Sequence, residues 1–143
     1  MDLVIKKDTG KDFGFKALDK EGETVAVSAG ATLEEGNAGL SPMQLFLTAL
    51  GGCMSIDVML LLKKKKQEVT DYQVDIKTER VDGVPSVFSK IHLTVVVEGI
   101  VGEEKLKQSI ALSRDKLCSV YKMISKEVEV VFAYKLNGKD GLV

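Results

Sequence analysis

Two cysteines are the scarce reactive side chains of this 143-residue chain. Cys53 directly follows the pair Gly51-Gly52. Each glycine costs about 1 kcal/mol relative to alanine inside a helix, so the pair predicts a break, with a new helix starting near Cys53. Unpaired N–H groups at such a start would favour a thiolate and lower the thiol pKa. Cys118 lies far along the chain, just past an amphipathic stretch. Neither cysteine belongs to a Cys-x-x-Cys pattern, so spacing leaves two readings open: small buried hydrophobes, or separate reactive thiols. Asp57 stands four residues after Cys53 and would share its helix face, where a negative charge disfavours a thiolate. His92 is the only histidine. It excludes a multi-histidine metal site within one chain, and any Ser/His/Asp triad would have to use it. Its neighbours Lys90 and Thr94 place it on the polar face of a strand, so no catalytic role is assigned to it.

The rest of the composition is that of a globular domain, 45% apolar and 29% charged. The 20 Lys+Arg are balanced by 21 Asp+Glu and the signs are interspersed, which argues against nucleic acid as the main partner. Met1 runs directly into Asp2-Leu3-Val4-Ile5-Lys6-Lys7, with no basic segment ahead of a long apolar run, so no secretory signal and a cytoplasmic location are expected. In that compartment the cysteines are expected as thiols or a transient disulfide. Gly36 to Ile56 carries no formal charge and Lys63-Lys64-Lys65-Lys66 follows, the pattern of a membrane span with a basic flank. Asn37, Ser41, Pro42, Gln44, Thr48 and Gly51-Gly52 interrupt it, and burial in a core or a dimer interface is the expected reading, with no membrane partner.

These residues need elements to position them. One domain over residues 1–143 is expected. The first 35 residues read as short strands and turns, with Phe13 and Phe15 alternating and Lys20-Glu21-Gly22 marking a turn. Gly30 to Gly39 reads as a loop. Ser41 to Leu62 is helical and apolar nearly all round, with Ser41 as N-cap and Pro42 in the first turn. Tyr72 to Arg80 alternates as a strand, which puts Arg80 in phase with its buried face. Val87 to Val97 forms the next strand and Gly102 to Leu117 a helix, with Leu106, Ile110, Ser113 and Leu117 on one stripe. Cys118 to Ser125 is short and irregular or helical, and Val128 to Tyr134 is the last strand.

Two separate segments carry a family resemblance. Ser41-Pro-Met-Gln-Leu-Phe-Leu-Thr-Ala-Leu-Gly-Gly-Cys53-Met-Ser-Ile-Asp57-Val resembles the first signature of the OsmC/Ohr family of thiol-dependent hydroperoxide reductases. Leu112-Ser-Arg-Asp-Lys-Leu-Cys118-Ser-Val resembles the second. Thr78-Glu-Arg80 and Pro85-Ser-Val-Phe-Ser-Lys-Ile-His-Leu resemble the stretch between them. The resemblance implies an α+β fold of antiparallel sheets wrapping two long central helices in an intertwined homodimer. It also implies a peroxidatic Cys53, a resolving Cys118, and a dithiol or lipoylated protein as reductant. The surrounding Leu, Met and Ile point to an organic hydroperoxide as substrate, and no cofactor or metal is expected.

The chain departs from the family pattern at two places. Gln44 occupies the position where relatives carry a Glu, and a Gln supplies no negative charge to orient an Arg. The family also uses an Arg from the N-terminal region, and this chain has none before Arg80, which leaves Arg80 or a Lys as the cation partner of the thiolate. These departures keep a second reading open: a non-catalytic protein of the same fold that binds an apolar ligand or reports oxidation by forming a disulfide.

Overall fold

The computed structural model describes residues 2–29 and 39–143. The expected loop at Gly30 to Gly39 therefore lies, apart from Gly39, outside the described residues. The chain divides into two compact units, residues 1–48 and 49–143.

The first unit holds an antiparallel sheet of β1 (Leu3–Lys7), β2 (Gly14–Asp19) and β3 (Thr24–Ser28). The β2–β3 turn is held by Asp19, whose carboxylate accepts from the N–H groups of Glu21 and Glu23 at 3.0 and 2.9 Å. The first turns of α1 (Pro42–Lys64) also belong to this unit. Their start is a capping box: the Gln44 N–H donates to Ser41 Oγ at 3.3 Å, and the Ser41 N–H donates to Gln44 Oε1 at 2.9 Å.

In the second unit a four-stranded sheet runs in the order β4 (Glu68–Arg80), β5 (Phe88–Ile100), β6 (Glu129–Leu136), β7 (Lys139–Leu142). It is mixed rather than antiparallel throughout, because β5 and β6 pair in parallel. A crossover carries the chain back to the starting end of β5: α2 (Glu103–Leu112), one wide π turn (Ser113–Leu117), and the single-turn α3 (Ser119–Lys122). The strand β7 goes beyond the sequence reading. It is short and largely polar, yet Asn137-Gly138, both at positive φ, form the tight turn that such a dipeptide favours.

The helix α1 does not break at Gly51-Gly52. Gly51 is buried where a Cβ would stand 3.0 Å from Ile76 Cδ1 of β4, so its lack of a side chain admits the strand. The cost in helix propensity is offset by this close packing. Leu50, Met54, Val58 and Leu62, each four residues on from the last, form the fully buried stripe of α1. The strands contribute Ile91, Leu93, Val95 and Val97, alternate residues of β5 and all buried. At the far end, Lys65 Nζ donates to Ser109 Oγ at 3.0 Å, tying the end of α1 to α2. On its other side α1 exposes Ile56, Met59 and Leu60. By length and composition alone α1 would suffice to cross a membrane, and 28% of its most apolar window is buried in the chain.

Candidate active site

Cys53 is in the interior of α1, not at a helix start, so its backbone neighbours are already paired along the helix and the expected dipole contribution is absent. It is half-buried, and so is Asp57 one turn further on. Cys118 comes from the crossover. The helix expected to run from Gly102 to Leu117 ends at Leu112 and widens into the π turn, closed by the Cys118 N–H donating to the Ser113 carbonyl at 2.8 Å. The wider turn shifts the side-chain phase. Ser113 stays buried, while Leu117, placed on the same stripe by a regular helical period, is exposed. Such π turns are frequent at functional sites.

The two elements bring the thiols together. One side-chain atom each from Cys53, Cys118 and Asp57 all lie within 4.8 Å of one another, and both cysteines are free. Cys118 is fully buried and caps α3, its Sγ accepting from the Tyr121 N–H at 3.4 Å. Buried Ser113 donates to Asp57 Oδ2 at 2.9 Å and so fixes the carboxylate beside the thiols. Sequence reasoning missed this bond. Its signal was a serine on the otherwise apolar stripe of the helix expected from Gly102 to Leu117, which had to find a buried partner.

Burial pushes the Cys118 thiol up from an ordinary 9.0 to about 11. The Tyr121 N–H pulls the other way. A hydrogen bond with Cys53 and the negative charges of Cys53 and Asp57 add to the rise. Cys118 is therefore a thiol at neutral pH, and this has a measurable consequence. Between pH 9 and about 11 the unfolded chain has lost this proton while the folded chain keeps it. The stabilisation is complete below that window and is lost as pH rises through it, at up to about 1.4 kcal/mol per pH unit. Urea unfolding across this range is expected to show that slope in the wild type and to lack this part of it in Cys118→Ser.

The other residues singled out in the sequence lie elsewhere or are otherwise engaged. Gln44 serves the capping box described above. Arg80 is exposed rather than buried: the alternation of β4 ends at Ile76, Thr78 is already exposed, and the β4–β5 pairing then shifts register between Glu79 and Arg80. Its guanidinium donates to the Ser86 carbonyl and lies over the Phe88 ring, 5.8 Å from its centroid. Arg114, beside Ser113, donates to both carboxylate oxygens of Asp115, at 2.7 and 3.1 Å, and stacks over Phe132. That pairing raises the Arg114 pKa and lowers that of Asp115. His92 pairs across the sheet with Lys77 and Val131, on the strand face opposite Leu93.

Comparison with known proteins is consistent across sequence and structure. The family model described as OsmC-like protein matches residues 34–132. Protein YhfA of Escherichia coli strain K12 is 36% identical over 108 residues, covering 73% of this chain and 81% of its own length. The uncharacterized protein MJ0573 of Methanocaldococcus jannaschii is 30% identical over 135 residues, covering 90% and 70%. Among solved structures, a hypothetical protein from Aquifex aeolicus VF5 superposes with a TM-score of 0.81 at 28% identity, over 96% of this chain and 97% of that one. An organic hydroperoxide resistance protein from Elizabethkingia anophelis shares the fold, with a TM-score of 0.67 at 18% identity over 96% and 97% of the two chains.

Proposed function

The chain belongs to the OsmC-like protein family, and from that premise we propose that it reduces organic hydroperoxides, with Cys53 as the attacking thiolate and Cys118 as the resolving thiol. The observation that supports this reading most is the pairing of two free thiols of unequal exposure within 4.8 Å. Reactive cysteines are partly exposed, as Cys53 is, while Cys118 is fully buried and protonated at neutral pH.

The proposed steps follow from that inequality. The Cys53 thiolate attacks one peroxide oxygen and the O–O bond breaks. The departing alkoxide takes a proton and leaves as an alcohol, and Cys53 becomes a neutral sulfenic acid. One of the charges that raises the Cys118 pKa is then gone. Cys118 attacks the sulfenic sulfur, its proton joins the displaced hydroxide, and water leaves as the disulfide forms. An external dithiol, small or carried as a lipoyl group on a protein, restores both thiols by exchange. Such cycling thiols suit the reducing cytoplasm, where we place the protein. A second copy of the chain is the proposed cover for Ile56, Met59 and Leu60, forming a homodimer. Asp57, held by Ser113 in the middle of α1, argues against lipid as that cover.

A second reading has its own support. Gln44 is engaged in a cap and both arginines are engaged with other groups, which favours a protein that oxidises once and reports it without efficient turnover. Cumene hydroperoxide consumption with excess dithiol separates the two. Many turnovers per chain are expected from a reductase. A single equivalent consumed, with no further turnover, would select the reporter.

A further inference from the structure

The cysteine cluster supports a second chemistry that does not depend on peroxide turnover. A tetrahedral zinc site with Zn–S near 2.3 Å and Zn–O near 2.0–2.2 Å requires ligand atoms about 3.6–3.8 Å apart. Cys53 Sγ, Cys118 Sγ and an Asp57 carboxylate oxygen, all within 4.8 Å of one another, reach that spacing by shifts of about 1.2 Å or less. We propose that the reduced protein binds one thiophilic divalent cation, with Zn2+ as the test ion, through Cys53, Cys118 and Asp57.

Three features of the cluster carry the assignment. Two sulfur ligands select zinc-like ions over Ca2+ and Mg2+, which prefer oxygen. Ser113 Oγ holds Asp57 Oδ2 at 2.9 Å, the kind of outer hydrogen bond that orients a ligating carboxylate and leaves its other oxygen available. Cys118 stands on the buried side of the cluster, while Cys53 and Asp57 are half-buried and keep contact with solvent. The sequence points to no metal, since a single histidine excludes a multi-histidine site and neither cysteine belongs to a Cys-x-x-Cys pattern. Two ligands come from one turn of α1 and the third from beyond a π turn.

Binding and oxidation would exclude each other. A hydroperoxide that oxidises the bound dithiolate takes two electrons and, with two protons, becomes an alcohol and water. The sulfurs join as a disulfide, and the cation is released because Asp57 alone remains as a ligand.

The test is titration of the reduced full-length protein with Zn2+ against a chromophoric chelator, with Co2+ as a spectroscopic substitute. One ion per chain is expected, and the Co2+ form should show thiolate charge-transfer and tetrahedral ligand-field bands. Cys53→Ser is expected to weaken binding by at least about a hundredfold, and Asp57→Asn by about tenfold or more with the sulfur bands retained. Circular dichroism verifies that each variant is folded. Wild-type binding below one ion per chain, or unchanged affinity in either variant, would overturn the site. Disulfide formation in metal-free protein is measured separately, so failure to bind zinc alone refutes the metal site and leaves the peroxidase reading standing.

Discussion

Cys53→Ser is expected to lower kcat/KM for organic hydroperoxide, with dithiol in excess, by a thousandfold or more, roughly the scale of loss when a covalent nucleophile is removed. A serine hydroxyl at the same point of α1 is not ionised near neutral pH and forms no disulfide. Cys118→Ser is expected to behave differently. It keeps the first step, consumes one equivalent of peroxide, and leaves Cys53 as a sulfenic acid that traps with a dimedone-type reagent. Without the second thiol, excess peroxide carries Cys53 on to the sulfinic state and turnover stops. Equal residual activity in the two variants would contradict the division of roles, whereas a trapped sulfenic acid only in Cys118→Ser supports it.

Met54→Ala is expected to cost about 2–5 kcal/mol of stability, the usual range for emptying a fully buried aliphatic site. Met54 has no exposed surface and lies in the stripe of α1 between Leu50 and Val58. The stripe sets the rotation of α1 and therefore where Cys53, the adjacent residue, stands relative to Cys118. Urea unfolding should show a lower midpoint with an unchanged m value. A loss below about 1 kcal/mol would show that the packing of α1 against its sheet is looser than the buried stripe implies.

Much of this arrangement was legible in the residues. The alternation from Tyr72 to Ile76 and from Ile91 to Val97 marks two strands, and their pairing of Val74 with Val95 and Ile76 with Leu93 follows that phase. The capping box was visible in part, since Ser41 and Pro42 marked the helix start, but the role of Gln44 was hidden by its place in the family signature. What a linear reading cannot supply is what packs against a glycine. Gly51 reads as a break by propensity and acts as a contact point, because Ile76 comes from a strand distant in sequence. The π turn was equally hidden: Leu106, Ile110, Ser113 and Leu117 fit a regular helix until one wider turn rotates Leu117 outward. That same turn delivers Cys118 to Cys53 and Ser113 to Asp57, so the site depends on the irregularity that periodicity missed.

The central claim is that Cys53 and Cys118 of one chain act as a redox pair. It is tested most directly by adding one equivalent of cumene hydroperoxide to the reduced protein, then counting free thiols and mapping the disulfide by peptide mass spectrometry. Loss of both thiols together, with Cys53 joined to Cys118 in the same chain, is the predicted result. Two thiols surviving the treatment, or a disulfide joining like cysteines of two chains, would contradict it.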